Sequence, residues 1–268
     1  MQSYQNMLLI TDLDGTLLQT NQEISQENLH AIRNFVDEGG LFTVATGRSR
    51  LSVARYLEQL PINVPAILYN GSMIYDFADE KVIRNKYLDL SARKILQDVC
   101  LLFPGVGIEI YRDDEIYFVC ENELTIMHQR REQLMPDTSQ SLSAVPEGWN
   151  KVVIVHKPEI ILQMQNYFSP YLKKFHHVQS EPQFLELLPE GVSKGTALLE
   201  VLTLIDLPTE QTIAIGDNLN DYEMLKLAGI SAAVGNAHPK LKKIVDICCK
   251  RNDQHGVADL LAKVRRLK

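Results

Sequence analysis

Apolar and polar residues follow one another along this chain in blocks whose period changes at identifiable places. Met7 to Ile10 is a short unbroken apolar run that ends in Thr11-Asp12-Leu13-Asp14-Gly15-Thr16. A run of this length closed by a turn signal fits a strand buried on both faces, as in a parallel sheet. From Gln26 to Glu38, Leu29, Ile32, Phe35 and Val36 recur at helical spacing. Ser25 stands at the N-cap of that stretch, and Gly39-Gly40 closes it. Leu41 to Ala45 predicts a second strand running into Thr46-Gly47-Arg48-Ser49, and a helix follows over Leu51 to Gln59, before Pro61. Ala66 to Tyr69 predicts a third strand. Asn70-Gly71 then signals a hairpin to Met73–Tyr75, and Lys81 to Tyr87 adds a further β segment. Strand, short loop and helix in alternation make an α/β pattern.

Near Leu88 the pattern changes. A helix is expected over Ser91 to Phe103, with Ile95, Leu96, Val99, Cys100 and Leu102 on its apolar side. Strands follow at Val106–Tyr111 and Glu115–Cys120, then a helix capped by Asn122 and reaching about Leu134. Met135 to Trp149, with Pro136, Pro146 and Gly148, reads as a loop. Lys151–His156 is a strand, and a helix runs from Pro158 to about Lys174 with a break forced at Pro170. His177–Ser180 and Phe184–Leu188 are two more strands. After Pro189-Glu190-Gly191 the alternation of strand and helix resumes. Ser193-Lys194-Gly195-Thr196 opens a helix over Ala197–Ile205, and strand Gln211–Ile215 ends in Gly216-Asp217-Asn218-Leu219-Asn220-Asp221. Helix Tyr222–Ala228, strand Ile230–Val234, a helix from Pro239, strand Asp246–Cys249 and helix Val257–Val264 complete the chain. The expected architecture is α/β: a doubly wound, Rossmann-like parallel-sheet core formed by residues 1–84 and 189–268, with an α+β domain inserted at residues 85–188.

Composition narrows the function classes. The chain has 268 residues, 45% hydrophobic and 23% charged, with a formal net charge of −7, as expected of a globular protein with a substantial core. The acidic balance argues against a nucleic-acid binder, which carries a basic footprint. No apolar run is long enough to span a bilayer. Cys100, Cys120, Cys248 and Cys249 show neither zinc nor disulfide spacing and sit among apolar residues, so they read as buried, inert thiols. With no signal-peptide pattern at the N-terminus, a cytoplasmic protein without membrane or nucleic-acid partners is expected. The sequence does not set the oligomeric state.

Four polar clusters fall at or beside strand ends: Asp12/Asp14, Thr46, Lys194 and Asp217/Asn220/Asp221. In a doubly wound sheet, ligands sit at the carboxyl ends of the strands, so these clusters would share one rim. Asp12 and Asp14, two positions apart in extended chain, lean to the same side. Close carboxylates call for a cation or a shared proton, and Mg²⁺ takes one or two carboxylates with waters and phosphate. An aspartate can serve as nucleophile, a second as acid and base, and a hydroxyl and an ammonium can hold phosphoryl oxygens. Taken singly, each cluster has a plainer reading: Asp-Gly or Asp-Asn as a turn, Lys194 as a solvated lysine at a helix start.

Asp12-Leu13-Asp14-Gly15-Thr16, Thr46, Ser193-Lys194-Gly195 and Gly216-Asp217-x-x-Asn220-Asp221, in this order, resemble the four motifs of the haloacid dehalogenase superfamily. The insertion between the second and third motifs, with Asn70-Gly71 before it, resembles the type IIB, Cof-like sugar phosphatases. The resemblance implies a Mg²⁺-dependent phosphatase acting on a small phosphorylated metabolite, with a sugar phosphate foremost, through an aspartyl-phosphate. It makes Asp12 the nucleophile and a metal ligand, and Asp14 the acid/base whose backbone carbonyl also binds metal. Thr46, Gly47, Arg48, Lys194 and Asn220 would bind substrate phosphate. Asp217 would bind Mg²⁺, and Asp221 would support the metal or Lys194. Arg48 could equally pair with a carboxylate. His128, Arg130 and Arg131, on one cap helix, could face a phosphosugar or form a solvated charged face, the plainer reading. Adjacent His176-His177 suits a strand edge, and Arg265-Arg266-Leu267-Lys268 a solvated tail. Two rivals stand beside the phosphatase: a phosphomutase of the same superfamily, and a non-catalytic protein that binds a phosphometabolite.

Overall fold

A computed structural model describes residues 4–132, 141–171 and 173–267. In chain order its elements are β1 (Leu8–Thr11), α1 (Gln26–Asp37), β2 (Leu41–Val44), α2 (Arg50–Ala54), β3 (Ala66–Leu68), β4 (Met73–Asp76), β5 (Lys81–Asn85), α3 (Ser91–Leu102), β6 (Gly107–Arg112), β7 (Glu115–Cys120) and α4 (Glu123–Glu132). After these come β8 (Lys151–Val155), α5 (Pro158–Phe168), β9 (Phe175–Glu181), β10 (Phe184–Pro189), α6 (Lys194–Leu204), β11 (Thr212–Gly216), α7 (Tyr222–Leu227), β12 (Ile230–Ala233), α8 (Pro239–Lys242), β13 (Ile247–Cys248) and α9 (Gly256–Leu267). The chain divides into two compact units. One comprises Met1–Arg48, Val53–Arg84 and Ser193–Lys268, and the other Ser49–Ser52 and Asn85–Val192.

The first unit is built on a five-stranded parallel sheet in the order β13-β12-β11-β1-β2. Leu8, Leu9 and Ile10 of β1 are 0% exposed, which is what an unbroken apolar run on an interior strand of a parallel sheet requires. β1 lies between β11 and β2, with Thr11 level with both Ile215 and Val44. The three strands therefore release their following residues at the same rim. The Ser25 hydroxyl accepts from the Asn28 N–H at 3.3 Å and starts α1. Asn28 Oδ1 accepts from the Ala258 N–H at 3.0 Å and ties α1 to α9. A second, three-stranded sheet runs β3-β4-β5, and the expected hairpin at Asn70-Gly71 is the antiparallel pair β3–β4. The helix expected over Leu51–Gln59 is shorter: α2 stops at Ala54, and tighter turns follow, with the N–H groups of Tyr56 and Gln59 donating to carbonyls three residues back. Val53, Tyr56 and Leu60 are still buried. The apolar spacing was satisfied by tighter winding rather than by further α-helix.

The second unit is an antiparallel sheet in the order β7-β6-β8-β10-β9. One face carries Ile108, Ile110, Val152, Ile154, Leu185 and Leu187, which form a core with Leu96 and Val99 of α3 and Ile161 and Met164 of α5. The other face carries Glu109, Lys151 and Glu186, as the period of two demands. Asn122 caps α4 as expected, its Oδ1 accepting from the Leu124 and Thr125 N–H groups. The end of that predicted helix at Gln133–Leu134, and Met135–Gln140 of the predicted loop, lie outside the described residues. Leu102 departs from the expected apolar stripe and is 58% exposed, because the helix ends there and the stripe finishes at Val99.

The cysteines are less uniform than expected. Cys249 is buried, Cys248 is exposed, and Cys100 and Cys120 are partly exposed with their sulfurs 3.6 Å apart. His128 is not on a solvated face: its Nδ1 lies 2.9 Å from Glu109 Oε2, a side chain with no exposure. Arg265 pairs with Glu38, so the basic C-terminal stretch is not wholly a free tail; Lys268 lies outside the described residues. Among the described residues no helix is long and apolar enough to cross a membrane.

Candidate active site

The site is built within the first unit from the residues that follow β1, β2 and β11. Asp12 continues β1, its N–H donating to the Ile215 carbonyl at 3.0 Å. The chain then turns at once, with Leu18 N–H donating to Leu13 O at 2.8 Å. Gly15 occupies the left-handed region with φ 72°, and a Cβ there would lie 2.5 Å from Asp217 Oδ2. Glycine is needed for both reasons. Asp217 follows β11 and accepts from the Thr16 hydroxyl at 3.3 Å.

Lys194 is the first residue of α6. Ser193 and Thr196 cap that helix reciprocally, the Ser193 hydroxyl accepting from Thr196 N–H at 3.1 Å and the Thr196 hydroxyl from Ser193 N–H at 2.9 Å. The cap fixes where the helix begins and so where Lys194 points. Its Nζ donates to Asp12 Oδ1 and to Asp221 Oδ1, both at 2.6 Å, with the lysine side chain fully buried. Asp221 is also fully buried and spends its other oxygen on the N–H groups of Asp217 at 2.9 Å and Asn218 at 3.1 Å. It therefore orients both the lysine and the loop that carries Asp217.

The electrostatics follow from this burial. Burial pushes the Asp12 carboxyl up to about 7; Lys194 opposes that rise, and Asp221 and Asp14 add to it. Burial also raises Asp217, with Asp12 and Asp221 reinforcing the effect. For Lys194, burial works against the charge, but Asp12 and Asp221 outweigh it and the ammonium is held above its ordinary range. Asp12, Asp217 and Asp221 bring carboxylate oxygens within 4.8 Å of one another. Lys194 compensates one of those three charges. An all-oxygen donor set with two surplus negative charges suits a divalent hard cation, so the residues present fit Mg²⁺.

Asp14 and Arg48 form a separate pair. Arg48 Nε and Nη2 donate to the two oxygens of Asp14, each at 2.7 Å, and Nη2 also donates to Gln22. The Arg48 side chain is buried. Of the two readings for Arg48, substrate contact or pairing with a carboxylate, the structure displays the pairing, with the arginine buried and the Asp14 carboxylate partly exposed. Thr46 is buried and its hydroxyl accepts from Arg48 N–H at 3.1 Å. Gly47 lies beside Asn70, and Asn220 Nδ2 donates to Asn70 Oδ1 at 3.1 Å. Asp12, Asp14, Thr46, Gly47, Arg48, Lys194, Asp217, Asn220 and Asp221 thus all belong to one unit, whereas His128, Arg130 and Arg131 belong to the other.

Three neighbours carry no role in the sequence reading. Thr16 bonds Asp217; Asn236 Nδ2 donates to the Gly15 carbonyl at 2.7 Å; and Asn70 accepts from Asn220. Asn70-Gly71 did give a signal, but it reads as an ordinary hairpin turn.

The pattern that describes haloacid dehalogenase-like hydrolases matches residues 9–261. The chain belongs to that family. A 5-amino-6-(5-phospho-D-ribitylamino)uracil phosphatase of Bacillus subtilis is 28% identical over 258 residues, covering 95% of this chain and 96% of the relative. An HMP-PP phosphatase of Yersinia enterocolitica is 31% identical, covering 87% of this chain and 85% of its own. Among solved structures, a haloacid dehalogenase-like hydrolase from Bacteroides thetaiotaomicron superposes with a TM-score of 0.84 at 27% identity, over 97% of this chain and all of the other. A subclass IIB sugar phosphatase shares the fold, with a TM-score of 0.87 at 20% identity and coverage of 97% and 99%. This member of the haloacid dehalogenase-like hydrolases is a phosphatase.

Proposed function

We propose that this phosphatase depends on Mg²⁺ and hydrolyses the phosphomonoester of a small metabolite, a sugar phosphate foremost, through an aspartyl-phosphate on Asp12. The observation that carries the reading is the position of Asp12: just past the end of β1, one oxygen held by Lys194, beside a cluster whose surplus negative charge calls for a cation. The names of the relatives support the substrate class, one being a phosphatase of a phosphorylated ribityl compound.

In this mechanism Asp12 attacks phosphorus with its carboxylate oxygen. Lys194 neutralises charge on the phosphoryl oxygens and favours the anionic form of Asp12 against the rise that burial imposes. Thr46, Gly47 and Asn220 supply further donors to those oxygens. Asp14 protonates the leaving oxygen and then takes a proton from the water that attacks the aspartyl-phosphate. Arg48 serves through Asp14, since its fork grips both carboxylate oxygens. Asp12, Asp217 and the Asp14 backbone carbonyl would hold Mg²⁺. Asp221, with both oxygens committed to protein donors, supports Lys194 and the Asp217 loop. Bound there, Mg²⁺ would supply charge neutralisation between carboxylates and phosphate. We assign choice of the leaving group to the inserted residues 85–188.

The test is release of inorganic phosphate from a panel of phosphorylated metabolites, with Mg²⁺ and with chelator. Mg²⁺-dependent release from one or more sugar phosphates is expected. Release unchanged by chelator, or no release from any phosphomonoester, would overturn the reading. A phosphomutase would instead return the phosphoryl group to a sugar and need a bisphosphate activator.

A further inference from the structure

The turn between β3 and β4 is strained in a way that a plain hairpin does not need. Tyr69, Asn70 and Gly71 have φ values of 50°, 55° and 104°. Glycine accepts this region freely and asparagine tolerates it, but tyrosine does not. All three residues are buried. Backbone held in such a region collects at functional sites, where surrounding contacts enforce it.

Those contacts lead to three of the four clusters of the site. Asn70 N–H donates to the Thr46 carbonyl at 2.9 Å, and Tyr69 N–H to the Arg48 carbonyl at 3.1 Å. At Gly71 a Cβ would lie 2.3 Å from the carbonyl oxygen of Ser193, the residue that caps Lys194's helix. The Asn70 side chain accepts from Asn220 Nδ2 at 3.1 Å. A Cβ on Gly47 would stand 3.1 Å from Asn70 Nδ2, so Gly47 leaves just enough room for that amide. One short turn therefore braces the Thr46–Arg48 loop, the start of α6 and Asn220 together.

We propose that Asn70 is a positioning residue for phosphoryl transfer: its amide holds Asn220 in the orientation that meets the phosphoryl oxygens and fixes the Thr46–Gly47 loop opposite it. This rests on the phosphatase reading given above. Asparagine suits the task because it tolerates φ of 55° while supplying an acceptor on a short side chain. Leu or Ala could not do both.

Asn70→Gly removes the amide and keeps the backbone conformation. Asn70→Asp keeps the acceptor oxygen and the tolerance of left-handed φ. Each is combined with Asn220→Ala, and kcat, KM and Tm are measured on p-nitrophenyl phosphate with Mg²⁺. Asn70→Gly should lower kcat/KM roughly 10–100-fold, the scale of a small misplacement at a reacting centre, with Tm little changed. Adding Asn220→Ala to Asn70→Gly should cost little more, whereas adding it to Asn70→Asp should cost as much as in the wild type, as coupling between contacting residues requires. Wild-type kcat/KM in Asn70→Gly, a fall in Tm without a fall in kcat/KM, or costs that multiply in the Gly background would each overturn the proposal. The same cycle on inorganic phosphate affinity, measured by calorimetry with Mg²⁺, needs no turnover. A wild type that binds phosphate with this coupling but hydrolyses nothing would defeat the proposed function and leave the role of Asn70 standing.

Discussion

Two lysines of this protein are buried among carboxylates, and the difference between them is instructive. In the second unit, Lys151 lies 3.1 Å from Glu186, with both side chains nearly sealed from solvent. Its ammonium stands 4.6 Å from the centre of the Tyr111 ring. Close by, Glu109 meets His128 and accepts from the Tyr111 hydroxyl at 2.9 Å. There each carboxylate has a cationic or donor partner, and the cluster sits on the face of a sheet. In the first unit, Lys194 faces Asp12 and Asp221 with Asp217 alongside. The cluster sits beyond the ends of strands and keeps surplus negative charge. Burying charge without matching it is costly. A matched cluster serves the fold; an unmatched one leaves charge to be offset, as the proposed Mg²⁺ site requires.

The comparison breaks most visibly at Asp12. Asp12→Asn should lower kcat for p-nitrophenyl phosphate by about 10⁴–10⁶-fold, the scale seen on removing a nucleophile, while circular dichroism shows a folded protein. Wild-type turnover would refute its role. The lysines come next. Lys194→Met and Lys151→Met each strand buried carboxylates, and each should cost about 3–5 kcal/mol in denaturant unfolding. Only Lys194→Met should also lower kcat, by about 10²–10³-fold; Lys151→Met should leave turnover of the aryl phosphate within a few fold. Equal losses of activity in both would erase the distinction drawn between the clusters.

Acid should act in opposite ways on the first cluster with and without metal. Burial raises Asp12 to about 7 from 3.8 and raises Asp217 as well. A raised carboxyl means that the folded state holds protons the unfolded state has released. The metal-free protein therefore loses this contribution as pH rises through the interval from about 4 to 7. Mg²⁺ must displace those protons, so it binds better at higher pH. The rise in Tm produced by Mg²⁺ should increase from pH 5 to pH 8; a rise independent of pH would contradict the shared-proton account. The smallest effect is a cap. Asn122→Ala removes the acceptor at the start of α4 and should cost about 1 kcal/mol, with no change in hydrolysis of the aryl phosphate.

Much of this was legible in the sequence. The unbroken run Leu8–Ile10 announces a strand covered on both sides, and the strands that precede Thr46 and Asp217 end in the same way, so the parallel sheet and its rim follow from pattern alone. Ser25 and Asn122 announce helix starts because capping is local chemistry. What was not legible depends on long-range pairing. Arg48 could reach a phosphate or a carboxylate; that it grips Asp14 is set by tertiary packing across the rim. Asn70 looked like a turn residue because the signal for a left-handed backbone is the same whether or not the side chain has a task. His128 looked solvated because Glu109 lies 19 residues away in sequence. Cys100 and Cys120 meet only once α3 is laid against the sheet.

The central claim is that Asp12 carries the phosphoryl group. A single turnover with excess enzyme over substrate and Mg²⁺ present, quenched in acid before it completes and followed by mass analysis of the peptide that contains Asp12, tests it most directly. Acid quench during turnover should leave a phosphoryl group on that peptide in the wild type and none in Asp12→Asn. Phosphate found on another residue, or turnover at an undiminished rate in Asp12→Asn, would contradict the account.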